Sequence, residues 1–319
     1  MTSTSGPSQG RLISGGYRKP EQLCILSFGA GQDSSALLMK LMFDDAFRQR
    51  WAPGRLLACF ADTGDEHEAT YRHLESMQTL CGDHGVELHA LQSGGEYYTE
   101  AWSDLISHYR RNNTVGSKAF RKSCSGNLKI SPWYRWLEDF LAQQYGTVHG
   151  NKKGLYEYVS LSGEKIRVLI GLAAGEEKRI SNDDGAPAWM IRTITREYPL
   201  ATELGWDRAD CQDYIRSMGY EPPRPSLCKH CPYKTELEVL LLSKEDPEAF
   251  EEWAEIEARK LAAFTRKYPE RGPERNHGVF GANTELREIV ARAEKKYGHL
   301  SYEQLHQIRM KGHHVGSTY

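Results

Sequence analysis

Between Ser27 and Ser35 the chain runs Ser-Phe-Gly-Ala-Gly-Gln-Asp-Ser-Ser. Small residues let a backbone come close to a ligand, and hydroxyl residues cap the start of a helix. A helix beginning here would turn its unpaired N–H groups and the positive end of its dipole toward a phosphate. An ordinary strand-to-helix turn uses the same residue types, but the hydroxyl run after the glycines favours an anion site. Thiols form the second constellation. Cys228-Lys-His-Cys231 is a C-x-x-C behind a turn rich in proline, at Pro222, Pro223 and Pro225. Such a pair suits half a zinc site, a redox dithiol or half an iron–sulfur site. Folding could bring Cys211 and Cys124 to it and gather four thiolates. Cys211 also shares an apolar helix face with Tyr214, Ile215 and Met218, as a core residue would. Before Cys124 come Tyr109, Arg110, Arg111, Lys118, Arg121 and Lys122, cations that would favour a thiolate or simply face solvent.

The elements that must position these groups follow from periodicity. Cys24 to Leu26 end a buried strand, and Leu37, Leu38 and Leu41 give the next segment one apolar face. Arg55 to Ala61 is a second strand, ending in Asp62-Thr-Gly-Asp-Glu66. Asp62 there could hold a metal or a nucleotide hydroxyl, or with Thr63 cap a helix over His67 to Cys81. Val86 to Leu91 is a third strand and Ile166 to Gly171 a fourth. Ser131 reads as a helix cap with Pro132 at the first position, while Gln144 to Lys165 shows no clear period and reads as an insertion. Alternating strands and helices predict an α/β fold with a doubly wound parallel sheet. Asp246 and Pro247 open a further helix reaching about Phe264, part of a C-terminal helical addition.

With these residues in view, Ser27 to Ser34 resembles the pyrophosphate loop of the ATP pyrophosphatases and adenosine phosphosulfate reductases, Ser-x-Gly-Gly-x-Asp-Ser. Cys124 to Pro132, CSGNLKISP, resembles a segment of phage and bacterial proteins of the phosphoadenosine phosphosulfate (PAPS) reductase-like family. The resemblance spans most of residues 20 to 260 and implies a HUP-type, Rossmann-like domain over 20–235. A flexible leader (1–19) would precede it, and a helical addition with a basic tail (236–319) would follow. It implies that Ser27, Gly29, Gly31, Asp33, Ser34 and Ser35 hold nucleotide phosphates with Asp62 beside them. Lys129 would face the nucleotide or its substrate. In Gly171 to Arg179 it places Glu177 and Arg179 on nucleotide and phosphate, and Arg179 would supply a bidentate charge. Asp33, Lys129 and Arg179 become the expected catalytic residues. Cys124, Cys211, Cys228 and Cys231 fall on the family's cysteine positions and imply a [4Fe–4S] cluster ahead of zinc. The departures are Ala30 for a usual glycine and Gln32 for a frequent lysine, which leave the loop less positive.

Composition limits the rest. At 319 residues and 39% hydrophobic the chain can fill a large core. It holds no apolar run long enough to span a bilayer and no signal-peptide core at its start, so a cytoplasmic location is expected. The seven cysteines then read as thiols or ligands rather than a disulfide framework. A net charge of −2 confines any nucleic-acid contact to a local patch. One candidate is the stretch from Thr265 onward, rich in Lys, Arg and His, which reads equally as a solvated tail. The resemblance implies sulfur transfer driven by ATP and Mg2+, with tRNA or DNA as acceptor and a cysteine desulfurase as sulfur donor. Its alternatives are a reductase of adenylylated sulfate and a nucleotide-binding module without catalysis. The reductases carry a C-terminal cysteine motif, whereas this chain has no cysteine after Cys231.

Overall fold

The structure, a computed structural model, describes residues 19–180, 185–282 and 284–312. All of the expected leader except its last residue lies outside the described residues, as do His313 and His314. Strands β1 (Leu23–Ser27), β2 (Arg55–Ala61), β3 (Glu87–Leu91), β4 (Ile166–Ile170) and β5 (Ile194–Glu197) form one sheet in the order β3-β2-β1-β4-β5. Every neighbouring pair is parallel. The chain's direction across the sheet reverses at β1 and β4, and a crevice opens beyond the carboxyl ends of strands at such a point.

Helices cover both faces, so the fold is α/β and doubly wound. Successive residues of a strand point to opposite faces. Leu23 and Ile25 join one apolar cluster with Leu57, Val168 and Ile170, and Cys24 and Leu26 join another with Ala58, Phe60 and Leu169. The second cluster is closed by α1 (Gln32–Phe43), α2 (Asp45–Trp51) and α3 (Glu68–Asp83). The first is closed by α4 (Leu105–Asn112), α5 (Ser131–Tyr145) and α6 (Lys153–Ser162). After β4 come α7 (Ala188–Thr193) and α8 (Arg208–Ser217), and α8 packs beside α1.

Beyond the sheet lie α9 (Glu236–Glu245), α10 (Pro247–Lys267), α11 (Leu286–Tyr297) and α12 (Tyr302–Lys311). Val239, Leu242, Trp253, Ile256 and Ile289 belong to the same cluster as Ile25 and Leu57, so these helices extend the core of that face. Asp246 caps α10 by accepting from Ala249 N, as the sequence predicts. Among the described residues no helix is long and apolar enough to cross a membrane.

Three local expectations are corrected. Ser131 does not cap α5, because a π-helical turn over Ser125–Ile130 runs directly into it and starts the helical path at Cys124. The stretch from Gln144 to Lys165 contains α6, whose Leu155 and Tyr158 are buried at helical spacing. Asp62 caps nothing. Its Oδ1 accepts from Gly64 N (2.8 Å) and from the Tyr71 hydroxyl (2.9 Å), while His67 stands at the start of α3 without a side-chain cap.

Candidate active site

The crevice at the switch point is an open cavity of about 150 Å³, with Ser27 from the end of β1, Thr63 from beyond β2, and Ile170 and Gly171 from β4. Gly29, Gly31, Asp33 and Ser34 line one end. Gly29 N donates to Ser34 Oγ (3.3 Å), and Ser34 Oγ donates to Gly31 O (3.2 Å), so the hydroxyl braces the turn. Gly31 is the residue before α1 and no side chain caps the helix there. The first N–H groups of α1 are left for a ligand. Gly171 is required by close approach to backbone, while Gly31 approaches only a serine hydroxyl that can turn aside. A Cβ on Gly31 would lie 2.9 Å from Ser226 Oγ, and one on Gly171 would lie 2.6 Å from Ser34 Cα. Ala30 has φ +51, the left-handed region, so the position usually held by glycine keeps a glycine's conformation.

Charge around this end comes from a residue the sequence did not disclose. Arg208, at the start of α8, places Nη2 3.3 Å from Asp33 Oδ2 and 3.3 Å from Glu176 Oε1. Arg179 also lines the cavity and pairs with Glu176 through its other oxygen. Glu176 is the buried acid of this group. The neighbouring Glu177 is exposed and accepts from Gly175 N (2.7 Å), so the expected contact of Glu177 with nucleotide is corrected to a turn contact. Which of two adjacent acids turns inward is set by the single 3-10 turn over Glu177–Arg179. Gln32 also lines the cavity, with its side-chain amide tied to other parts of the chain. Its amide donates to Pro223 O (2.9 Å) and accepts from Gln212 (3.0 Å), and Gln212 in turn donates to Met310 O at the end of α12.

Two more of the expected phosphate-end residues point elsewhere. Ser35 is fully buried with Oγ 2.8 Å from His73 Nε2, on the side of the sheet away from the cavity. Asp62 is tied into the turn described above and lines neither of the two main cavities.

Cys124, Cys228 and Cys231 line the same cavity at its thiol end, with Lys122, Ser125 and Lys129 among them. Cys228 Sγ lies 3.2 Å from Thr63 Oγ1 and 3.5 Å from Glu66 Oε1, and Lys129 Nζ is 3.6 Å from that carboxylate oxygen. Burial pushes the Cys231 thiol up to about 11. Burial, with the Glu66 carboxylate adding to it, pushes Cys228 well above the usual thiol range. Glu66 is itself buried, and its Oε2 has no hydrogen-bond partner among the described residues. Cys211 is not at this end. It is fully buried on α8 in the cluster on the other face of the sheet, with Leu200 and Ile215, and that apolar packing raises its pKa. The expected set of four thiols is therefore three. Among the described residues no three His, Cys, Asp or Glu side chains close tightly enough to hold a single metal ion.

A second cavity adjoins the first, sharing Ser27, Gly29, Lys129 and Ile170 with it. Phe60, Trp133, Tyr134 and Met190 make most of its wall apolar.

No family model matches the chain, and no curated protein matches it. Among solved structures it is similar to the U34-tRNA thiolase NcsA from Methanococcus maripaludis with its [4Fe-4S] cluster. The identity is 13% and the TM-score 0.38, with 89% of this chain and 83% of that chain covered. A likeness of that degree carries no functional weight, and the chemistry rests on the side chains above.

Proposed function

We propose that the chain is an ATP-dependent sulfur-transfer enzyme of the PAPS reductase-like, pyrophosphate-loop type, acting on a nucleic acid. The observation that carries this reading is a cavity lined by both a phosphate-type loop and three thiols. The loop N–H groups and the start of α1 would take the phosphates of ATP, with Arg179 and Arg208 neutralising them. The adjoining apolar cavity would hold the adenine against Phe60, Trp133 and Tyr134. Asp33 would orient Arg208 and offer a carboxylate to Mg2+, which takes one or two carboxylates and otherwise prefers phosphate and water oxygens.

The reaction has two displacements. A carbonyl oxygen of the acceptor base attacks the α-phosphorus, the bond to the β-phosphate oxygen breaks, and magnesium pyrophosphate leaves. Sulfur at the sulfide level then forms a C–S bond while the C–O bond breaks and AMP leaves, so no net oxidation occurs. Lys129, which lines both cavities, would stabilise charge on the α-phosphate. A cysteine desulfurase would supply the sulfur as a persulfide, and a second thiol would reduce it to the sulfide level by taking the inner sulfur into a disulfide.

The three thiols fit a [4Fe–4S] cluster better than zinc. They stand around one cavity without closing on a single ion, and a cubane spans more space than an ion. Cys124, Cys228 and Cys231 provide three of the four thiolates such a cluster commonly takes. When bound it would hold sulfur near the acceptor. Glu66 and Thr63, both beside Cys228, would position that thiolate, and Lys129 would balance the acid.

Pyrophosphate release from labelled ATP, with and without candidate RNA or DNA, tests the proposal. Asp33→Ala is expected to lower turnover at least tenfold, because Arg208 loses one of its two carboxylate partners and magnesium a carboxylate. Unchanged turnover in that variant would count against the site. Iron and sulfide analysis of anaerobically purified protein tests the cluster.

A further inference from the structure

The end of α12 is tied to the phosphate end of the cavity by side chains from α8. Arg208 and Gln212 stand four residues apart and so share one face of α8. Gln212 Nε2 donates to Met310 O (2.9 Å), and Arg208 Nη1 donates to Gly312 O. Carbonyls at the end of a helix lack partners within it, so these two are open to donors from outside. A cation there also meets the negative end of the helix dipole. Elsewhere on α12, Leu305 packs with Leu237 and Leu241 of α9, and Arg309 Nη2 donates to Pro225 O (3.3 Å) in a loop that lines the cavity.

Gln32 completes the tie. Its Oε1 accepts from Gln212 Nε2 (3.0 Å), while its own Nε2 donates to Pro223 O (2.9 Å) and lies 3.2 Å from Met310 Sδ. An amide can accept and donate at once, whereas a lysine ammonium has no acceptor. The glutamine that stands where the resembling loops often carry lysine is thus matched to α12. The consequence falls on Arg208. Asp33 takes its Nε and Nη2, Glu176 shares Nη2, and Gly312 O takes Nη1, so three separate segments fix the plane of a guanidinium that lines the cavity.

We propose that α12 is a working part of the phosphate end, with Gln212 the positioning residue that ties it there and so holds Arg208 for the nucleotide's phosphates. Gln212, Leu305 and Met310 do not line the cavity, so their influence on a ligand runs through Arg208. A guanidinium binds phosphate as a planar fork, and the bond depends on how that plane is held. The coupling is reciprocal: loosening α12 weakens nucleotide binding, and bound nucleotide steadies α12. The inference rests on the sulfur-transfer reading, which assigns phosphates to this end, and it adds the C-terminal helix to that site.

The test is calorimetry on the full chain with ATP and with inorganic pyrophosphate. Gln212→Leu keeps the bulk and removes the amide, and it is expected to weaken both ligands roughly three- to tenfold, the effect of one or two hydrogen bonds. Leu305→Ala, which touches only the seat of α12 on α9, should weaken them in the same direction. In an Arg208→Gln background Gln212→Leu should cost nothing further, whereas a merely structural role would add its full effect there. In the wild type, ATP should slow hydrogen exchange across residues 302–312, a readout that needs no variant to fold. Wild-type affinity in both Gln212→Leu and Leu305→Ala, a Gln212→Leu loss that persists beside Arg208→Gln, or exchange indifferent to bound ATP would overturn the proposal and leave the sulfur-transfer reading standing. A wild type that binds neither ATP nor pyrophosphate would instead sink that reading, and this inference with it.

Discussion

At the end of the cavity that we assign to phosphate, Ser27, Gly29, Gly31 and Ser34 come from one short stretch that links β1 to α1, and that stretch would offer a ligand mostly backbone groups. At the thiol end, Cys124 arrives from the segment before α5 and Cys228 and Cys231 from the loop before α9, and the partners are side chains. The phosphate end is held ready. Helix α1, the buried Arg208 and its two acids fix the geometry without a ligand. At the thiol end burial raises the pKa of both Cys228 and Cys231, which makes their thiolates harder to form without a bound cation. Binding there must release protons. On the proposed function, one end is preorganised by the fold and the other would be organised by what it binds.

The largest separation of the two ends is expected from Gly171→Val. A Cβ at Gly171 would meet the backbone of Ser34 at 2.6 and 2.7 Å, and a backbone cannot step aside as a flexible side chain can. Overpacking of this kind costs about 1–3 kcal/mol. If the first turn of α1 absorbs that strain, nucleotide affinity falls roughly 5- to 150-fold. Calorimetry with ATP measures this, while iron content after anaerobic reconstitution should stay at the wild-type level. Loss of both together would show that the ends are not independent.

The same contrast decides what could be read from sequence. The phosphate end was legible because its residues are adjacent and its glycines answer to local geometry. Ser27, Gly29, Gly31, Asp33 and Ser34 do line one cavity, and that they hold phosphates there is the proposal. Arg208 was not legible, because its role exists only once α8 lies against α1, and its sequence neighbours Asp207 and Asp210 advertise a capping box instead. β5 was missed because Ile-Thr-Arg-Glu is short and has one buried residue. Glu177 was one residue out, because the family's Gly-x-x-x-x-Glu-x-x-Arg spacing counted from Gly171 falls on Glu176 and Arg179, the pair that turns inward. The apolar face that Cys211 shares with Ile215 was visible in the sequence, and the structure decides for it.

Cys211 therefore offers the next test. Cys228→Ser should abolish iron binding yet leave ATP affinity within about twofold, and Cys231→Ser should match it. Cys211→Ala should keep full iron content and lower stability by about 1 kcal/mol, as expected for one small group removed from a core. Urea unfolding reads the second effect and iron analysis the first. Iron lost in Cys211→Ala at unchanged secondary structure would move that residue to the thiol end and overturn the division drawn above.

The smallest effect is expected at Ala30, and it explains how the loop does without its usual glycine. A left-handed φ costs an L-residue about 1–2 kcal/mol, which Ala30→Gly would recover. Glycine, however, loses more conformational freedom on folding, worth roughly 0.5–1 kcal/mol against alanine. The methyl of Ala30 is also fully buried in the cluster with Phe28 and Leu26, and removing it forfeits about 0.8 kcal/mol. The terms nearly cancel. Ala30→Gly should shift the unfolding free energy by less than about 1 kcal/mol in either direction and leave ATP affinity within about twofold. A tenfold loss of affinity would show that this methyl shapes the phosphate end itself, which would then depend on a side chain as the thiol end does.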